Sequence, residues 1–269
     1  MLTVTLVRHG ESEDNPKAIW AGWKDAPLSQ LGRRQAAAVG AFFRAHTLAN
    51  PAHKPHTIYA SPLLRARETG QAIRDSQPHP KPEFVVNPDL REQYFGIAEG
   101  HPWTYQRPDG KSAEQLISEG IYPVLFERHE KFPEGESSDD LRIRTDRVVR
   151  ECIVPHLGKD VAGDRHIVMA SHGLCIAELV ASVIKLDPSW PVGSDDTYRG
   201  MLNTAWARLE IDPHEDGGSS YKVRVTHFNE GGHLKDLDVP TASEPDPETD
   251  DTANAEARAF FSGGLKVEN

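Results

Sequence analysis

Thr3-Val-Thr-Leu-Val7 alternates at a period of two with β-branched residues, which predicts a short strand. A polar loop carrying Gly10, Pro16, Gly22 and Pro27 follows. Ser29 then stands as an N-cap before a helical pattern from Leu31 to about His46, with Ala36, Val39 and Phe43 on one face. Pro51 and Pro55 close that helix, and Thr57-Ile-Tyr-Ala60 predicts a second strand. Leu64 to Asp75 returns to helical spacing, and Phe84-Val-Val86 is a third strand ended by Asn87-Pro88. Leu90 to about Glu136 is rich in glycine, proline and aromatics around one helical stretch at Ser112 to Ser118, an excursion from the main sheet rather than a second domain. Leu141 to Ile153 is an amphipathic helix. His166-Ile-Val-Met-Ala170 is almost wholly apolar, as expected of a parallel strand buried on both faces. A helix over Leu174 to Lys185 and strands over Asn203 to Ile211 and Tyr221 to Phe228 complete the body.

Strands alternating with helices predict an α/β fold: three layers, αβα, around a mostly parallel central sheet. The folded body so read spans residues 1–238, with a small helical and loop excursion at about 90–136 placed over the active site. In such sheets, functional residues gather at the carboxyl ends of the strands.

The net charge of −11, from 41 acidic and 30 basic side chains, excludes a general affinity for nucleic acid or an anionic membrane. It also looks like an objection to an anionic substrate. Its location removes that objection: Asp236 to Glu256 holds eight of the acids with no Lys or Arg, and carries Pro240, Pro245 and Pro247. Residues 239–269 therefore read as a solvated acidic tail, with one short helix at Ala253 to Phe261, and the body before it is close to neutral. Two cysteines, Cys152 and Cys175, build no disulfide framework. Arg8 and His9 interrupt the apolar run Leu2 to Val7 before a secretory signal can form, and no run is long enough for a membrane span. A reducing, cytoplasmic location is expected.

The first strand ends in Arg8-His9-Gly10-Glu11-Ser12, and the second in Ser61-Pro62-Leu63-Leu64-Arg65. The third runs out into Asp89-Leu90-Arg91-Glu92, and the apolar strand ends in Ser171-His172-Gly173. A single histidine at a strand end is usually a hydrogen-bonded structural residue, and an isolated arginine is usually solvated. Their convergence at several predicted strand ends is what points to a shared site. Arginine forks match phosphate oxygens, and a neutral imidazole is a competent nucleophile toward phosphorus. A second histidine, if protonated, adds charge and a donor, and a nearby carboxyl can protonate a leaving oxygen and then activate water.

At Leu6-Val-Arg8-His9-Gly10-Glu11-Ser12 the sequence resembles the histidine phosphatase superfamily, the phosphoglycerate-mutase-like proteins. The resemblance extends to about Phe228 through LVRHGES, GWKDAPLSQLGRRQA, SPLLRARET, LREQYFG, FPEGES and SHGL, in that order. It implies that His9 is a nucleophile that becomes phosphohistidine, and that Arg8, Arg65 and His172 clamp the phosphoryl oxygens. It implies that Glu92 is the general acid and base. Asn15, Ser12, Gly173 and Leu174 match positions around the phosphate pocket. No metal and no cofactor are implied, and the partner is a small phosphorylated substrate.

The superfamily holds mutases and phosphatases. Gly22-Trp-Lys-Asp-Ala-Pro-Leu-Ser29 looks like the mutase segment. Phe95, however, stands where the mutase branch has a tyrosine three residues beyond its glutamate, and Gly100 to Glu136 lacks the adjacent arginine pair of mutases. Pro133-Glu-Gly-Glu-Ser137 with Asp140-Leu-Arg142 looks more like the phosphatase branches. The phosphatase branch is therefore the first expectation, a mutase the second, and a non-catalytic phospho-ligand-binding module the third. Trp20, Trp23, Trp103 and Tyr105 lie in loops flanking the expected pocket, where they either wall it or anchor loops onto the core; Cys175 reads as a buried structural thiol.

Overall fold

The computed structural model describes residues 1–104, 110–157, 165–191, 198–213, 220–235 and 237. Tyr105, the acidic tail and its expected helix lie outside the described residues. The elements in chain order are β1 (Leu2–Arg8), α1 (Gln30–Ala49), β2 (Thr57–Ala60), α2 (Leu64–Ser76) and β3 (Glu83–Val86). The excursion then supplies two-residue strands β4 (Trp103–Thr104) and β5 (Tyr122–Pro123), with α3 (Ala113–Ser118) between them. The chain returns through α4 (Ser138–Val148), β6 (Arg165–Ser171), α5 (Gly173–Ile184), β7 (Trp206–Pro213) and β8 (Tyr221–Glu230).

Six of these strands form one mixed sheet in the order β3-β2-β6-β1-β7-β8. β3, β2, β6 and β1 run parallel, whereas β7 is antiparallel to β1 and β8 is antiparallel to β7. The period-two alternation of β1 and β6 sends their side chains to opposite faces. Val4, Leu6, Ile167 and Met169 pack with Val148 of α4 and Leu179 and Val183 of α5. Val7 and Val168 pack on the other face, with Val39 and Phe43 of α1 and Ile73 of α2. Two helical layers thus enclose the sheet. β2, β6 and β1 are neighbours, so their carboxyl ends, which carry the candidate residues, share one rim.

Local chemistry shifts two boundaries from those the sequence predicts. α4 begins at Ser138 rather than Leu141 because Ser137 and Asp140 cap it reciprocally: Asp140 N–H donates to Ser137 Oγ and Ser137 N–H to Asp140 Oδ2, each at 3.0 Å. Its regular turns end at Val148 and widen into a π-helical turn over Val149–Ile153. β7 begins at Trp206 rather than Asn203 because Thr204 adopts φ 57° and donates its N–H to the carbonyls of Arg8 and His9 at 3.1 and 3.2 Å. Asn203 is thereby bent toward the end of β1 instead of joining a strand.

The excursion has its own small core of Trp20, Phe95, Trp103, Tyr122 and Phe132, packed against Leu174 at the start of α5. Trp20 lies 4.5 Å from Phe95 and 5.2 Å from Phe132 between ring centroids, and its indole N–H donates to Tyr122 O at 3.1 Å. Trp20 and Trp103 therefore anchor loops to a core. The loop after His9 packs directly on the first turn of α1. A Cβ at Gly32 would stand 1.9 Å from the Glu11 carbonyl oxygen, an approach only glycine permits. Among the described residues no helix is long and apolar enough to cross a membrane.

At the opposite end of the sheet, His166 is buried between Thr5 Oγ1 (2.9 Å) and the His53 carbonyl (2.8 Å). Burial above all, with Arg208 adding to it, lowers its pKa from 6.5 to about 4. The unfolded chain therefore binds a proton that the folded chain refuses between those values. Stability from this group is complete above pH 6.5 and declines as pH falls toward 4, by on the order of 3 kcal/mol. Denaturant unfolding at stepped pH should show a steeper acid loss for the wild type than for His166→Gln. Parallel curves would remove His166 as the cause.

Candidate active site

His9 is 4% exposed, and its backbone N–H continues the β1–β6 ladder by donating to Ser171 O at 2.9 Å. The ring lies with Nδ1 2.7 Å from the Gly10 carbonyl, which can only accept, so Nδ1 carries the proton and Nε2 the lone pair. Burial first, then the charges of Arg65 and Arg8, push its pKa well below 6.5. The imidazole is neutral at physiological pH, as a nucleophile must be.

His172 follows the end of β6 and lies 5.0 Å from His9 between ring centroids. Its Nε2 is 2.9 Å from Ser61 Oγ at the end of β2, and its buried Nδ1 has no protein partner. Burial, then Arg65 and His9, lower its pKa well below 6.5, so it stays neutral until a negative charge arrives.

Arg65 comes from the first turn of α2 and is 3% exposed. It donates to the Lys24 and Gly22 carbonyls, both at 2.8 Å, and so holds the loop on either side of Trp23. Gly22 takes φ +45° there, where a Cβ would stand 2.0 Å from Glu99 Oε1. Arg8 donates one terminal nitrogen to the Met201 carbonyl, while its buried Nε has no partner. Burial lowers the pKa of both guanidiniums, with Glu92 opposing that effect. Buried polar groups without partners are rare in proteins, and the unpaired Arg8 N–H at a site that also carries the unpartnered His172 Nδ1 is a natural seat for an anion.

Glu92 sits beyond the turn after β3, with its carboxylate at the amino terminus of α5. It accepts from Cys175 N (3.0 Å), Leu174 N (3.2 Å) and Gln93 N (3.0 Å). A Cβ on Gly173 would be 3.9 Å from both Glu92 Oε2 and Arg8 Nε, so the helix start, the acid and the orphan donor meet at one point. Arg8, Glu92, Gly173, Leu174, Ala177, Arg199 and Gly200 line one cleft.

The remaining expected residues support this centre from behind. Asn15 Oδ1 accepts from Ser12 N (2.8 Å) and Ser12 Oγ (3.1 Å), folding the loop after His9. Trp23 donates its indole N–H to the Glu92 carbonyl at 2.7 Å, beneath the Arg91 guanidinium 3.6 Å from its ring. Cys175 is wholly buried and its thiol is pushed up to about 12 by burial, which makes it inert. Among the described residues no group of three or more His, Cys, Asp or Glu is arranged to hold a metal ion.

Two residues here were not singled out by motif. Asn203 donates to the His9 carbonyl at 3.0 Å and approaches Asn15 Oδ1 at 3.5 Å, linking the nucleophile to its loop. Arg144 of α4 is 5% exposed and reaches the Glu92 carbonyl at 2.9 Å. A sequence signal for it exists: Arg144 falls on the helical stripe Leu141, Thr145, Val148 that faces the core, where a charged residue must be paired.

The six-stranded mixed α/β sheet thus gathers a buried histidine pair and two arginine side chains at the carboxyl ends of its parallel strands. The chain belongs to the histidine phosphatase superfamily (branch 1), whose family model matches residues 4–217. It is 30% identical over 216 residues to a glucosyl-3-phosphoglycerate phosphatase of Mycolicibacterium vanbaalenii, covering 80% of this chain and 86% of that protein. It is 29% identical over 177 residues to a phosphoglycerate mutase of Schizosaccharomyces pombe, covering 66% of this chain and 77% of that protein. Among solved structures, Mycobacterial hydrolase 1 superposes with a TM-score of 0.66 at 26% identity, covering 85% of this chain and 98% of that one. Relatives of both kinds, phosphatase and mutase, are thus similar to this chain in sequence.

Proposed function

We propose that the protein is a metal-independent phosphatase that hydrolyses a small phosphomonoester through a phosphohistidine on His9. The observation that carries this reading is the neutral His9 imidazole, with Nε2 unprotonated, together with two buried polar atoms that have no protein partner, Arg8 Nε and His172 Nδ1. Nε2 attacks phosphorus and the ester P–O bond breaks, with Glu92 giving its proton to the departing oxygen. Glu92 then takes a proton from water, the resulting nucleophile displaces His9, and the N–P bond breaks to release phosphate. Arg8, Arg65 and His172 hold the phosphoryl oxygens throughout.

Support for hydrolysis over phosphoryl return comes from Phe95, whose ring packs on Trp20 in the excursion core rather than bringing a hydroxyl to substrate. The GWKDAPLS segment, which suggests a mutase, serves a need common to both activities. Its Gly22 and Lys24 carbonyls hold Arg65, and Asp25 Oδ1 accepts from Leu64 N at 2.6 Å.

The test is incubation with 3-phosphoglycerate and a bisphosphate primer, and with a panel of phosphomonoesters, in the presence of chelator. Free phosphate should appear without isomerisation. Accumulation of 2-phosphoglycerate with no net phosphate would establish the mutase instead.

A further inference from the structure

Every N–H of the Arg144 guanidinium is engaged, on the turn that carries Glu92 and on the carboxylate of Glu136. Nε and Nη2 fork onto the Glu136 carboxylate at 3.0 and 2.8 Å. Nη1 donates to the carbonyls of Asp89 and Arg91, both at 2.7 Å, and Nη2 donates also to the carbonyl of Glu92 at 2.9 Å. Three of the five bonds thus go to the backbone that carries Glu92. Glu136 holds the far side of the same turn, because its Oε2 accepts from Tyr94 N at 3.0 Å and its N–H donates to Tyr94 O at 2.7 Å. Gln93 closes the link by donating Nε2 to Glu136 O at 2.8 Å. The second lone pair of the Glu92 carbonyl is taken by the Trp23 indole N–H at 2.7 Å.

The Glu92 peptide is therefore clamped from α4 and from the loop that Arg65 holds. We infer that Arg144, locked by Glu136, is a positioning residue that aims the Glu92 carboxyl at the leaving oxygen. This rests on the proposed role of Glu92 as general acid. A planar fork is needed for it: lysine keeps the charge but is a point donor, and cannot gather three carbonyls and a carboxylate at once. A side chain that merely stabilised α4 would have no reason to collect the carbonyls of residues 89, 91 and 92.

Phenyl phosphate and p-nitrophenyl phosphate separate the two roles. They present the same phosphoryl group to His9, Arg8, Arg65 and His172, but p-nitrophenolate departs without a proton and phenolate departs far better with one. Single-turnover phosphorylation rates are measured for both esters with the full-length wild type, Glu92→Gln, Arg144→Lys and Glu136→Gln, alongside thermal unfolding.

Glu92→Gln should slow phenyl phosphate about 100-fold more than p-nitrophenyl phosphate. Arg144→Lys should widen the same ratio about tenfold, with KM for p-nitrophenyl phosphate unchanged. Equal slowing of both esters in Arg144→Lys would reduce Arg144 to a structural residue and overturn the inference. If that variant does not fold, Glu136→Gln decides: a widened ratio supports the lock, and equal slowing overturns it. An unchanged ratio in Glu92→Gln would instead remove Glu92 as the acid, which is a failure of the underlying reading and not of the clamp.

Discussion

Replacing His9 with alanine should abolish turnover while leaving the protein folded. Two neighbouring side chains do not replace the His9 lone pair: His172 engages Ser61 through Nε2, and Cys175 is wholly buried with its thiol pushed up to about 12. The loss in kcat should be on the order of 10⁴-fold or more, the scale seen when a covalent nucleophile is removed. Folding should survive because the His9 side chain makes a single local bond, to Gly10 O. The backbone bonds that fix β1 beside β6 and Thr204 are unaffected by the change. Steady-state phosphate release together with thermal unfolding checks both halves. Residual chelator-resistant turnover within about tenfold of wild type would mean that His9 is not the nucleophile.

The second large effect is expected at Arg65. Arg65→Lys keeps a positive charge but loses the fork that reaches the Gly22 and Lys24 carbonyls. It also loses the planar donor set that a transferring phosphoryl group requires. We expect kcat/KM to fall on the order of 10²–10³-fold, as when one preorganised transition-state donor is removed. Because Trp23 lies between the two carbonyls and donates to Glu92 O, the same substitution should change Trp23 fluorescence. Activity retained within about threefold would show that charge alone suffices there.

The parts of the fold readable from sequence are those where one physical signal dominates. Thr57–Ala60 and the apolar run within Arg165–Ser171 are strands because β-branched and apolar side chains leave little alternative at that length. α1 is readable because Ser29 caps it, and its hydroxyl does accept from Gly32 N at 3.0 Å. Placement of His9, Arg65 and His172 on one rim followed from strand ends together with the adjacency of β2, β6 and β1.

What could not be read is set by tertiary contact. Asn203 to Ala205 falls within the strand expected over Asn203 to Ile211, yet Thr204 is turned to positive φ by its bonds to the Arg8 and His9 carbonyls. From its loop Trp23 reads equally as a pocket wall or a loop anchor, and only the fold shows that its N–H meets the Glu92 carbonyl 69 residues away. His172, considered as a possible cation from its chemistry, is kept neutral by burial and by the very arginines that would join it on a phosphoryl group. Arg144 passes as one of several α4 arginines until its place on the buried stripe is weighed. The cleft sets two arginines, Arg8 and Arg199, against the one carboxylate of Glu92, although the chain as a whole carries −11.

The most direct measurement is a rapid-quench trap. The protein is mixed with p-nitrophenyl phosphate, stopped in denaturant at alkaline pH, and its peptides are weighed. The account predicts one added phosphoryl group on the peptide containing His9, labile to acid, stable to base, and absent in His9→Ala. Turnover with no phosphopeptide, or with the group on any residue other than His9, would contradict it.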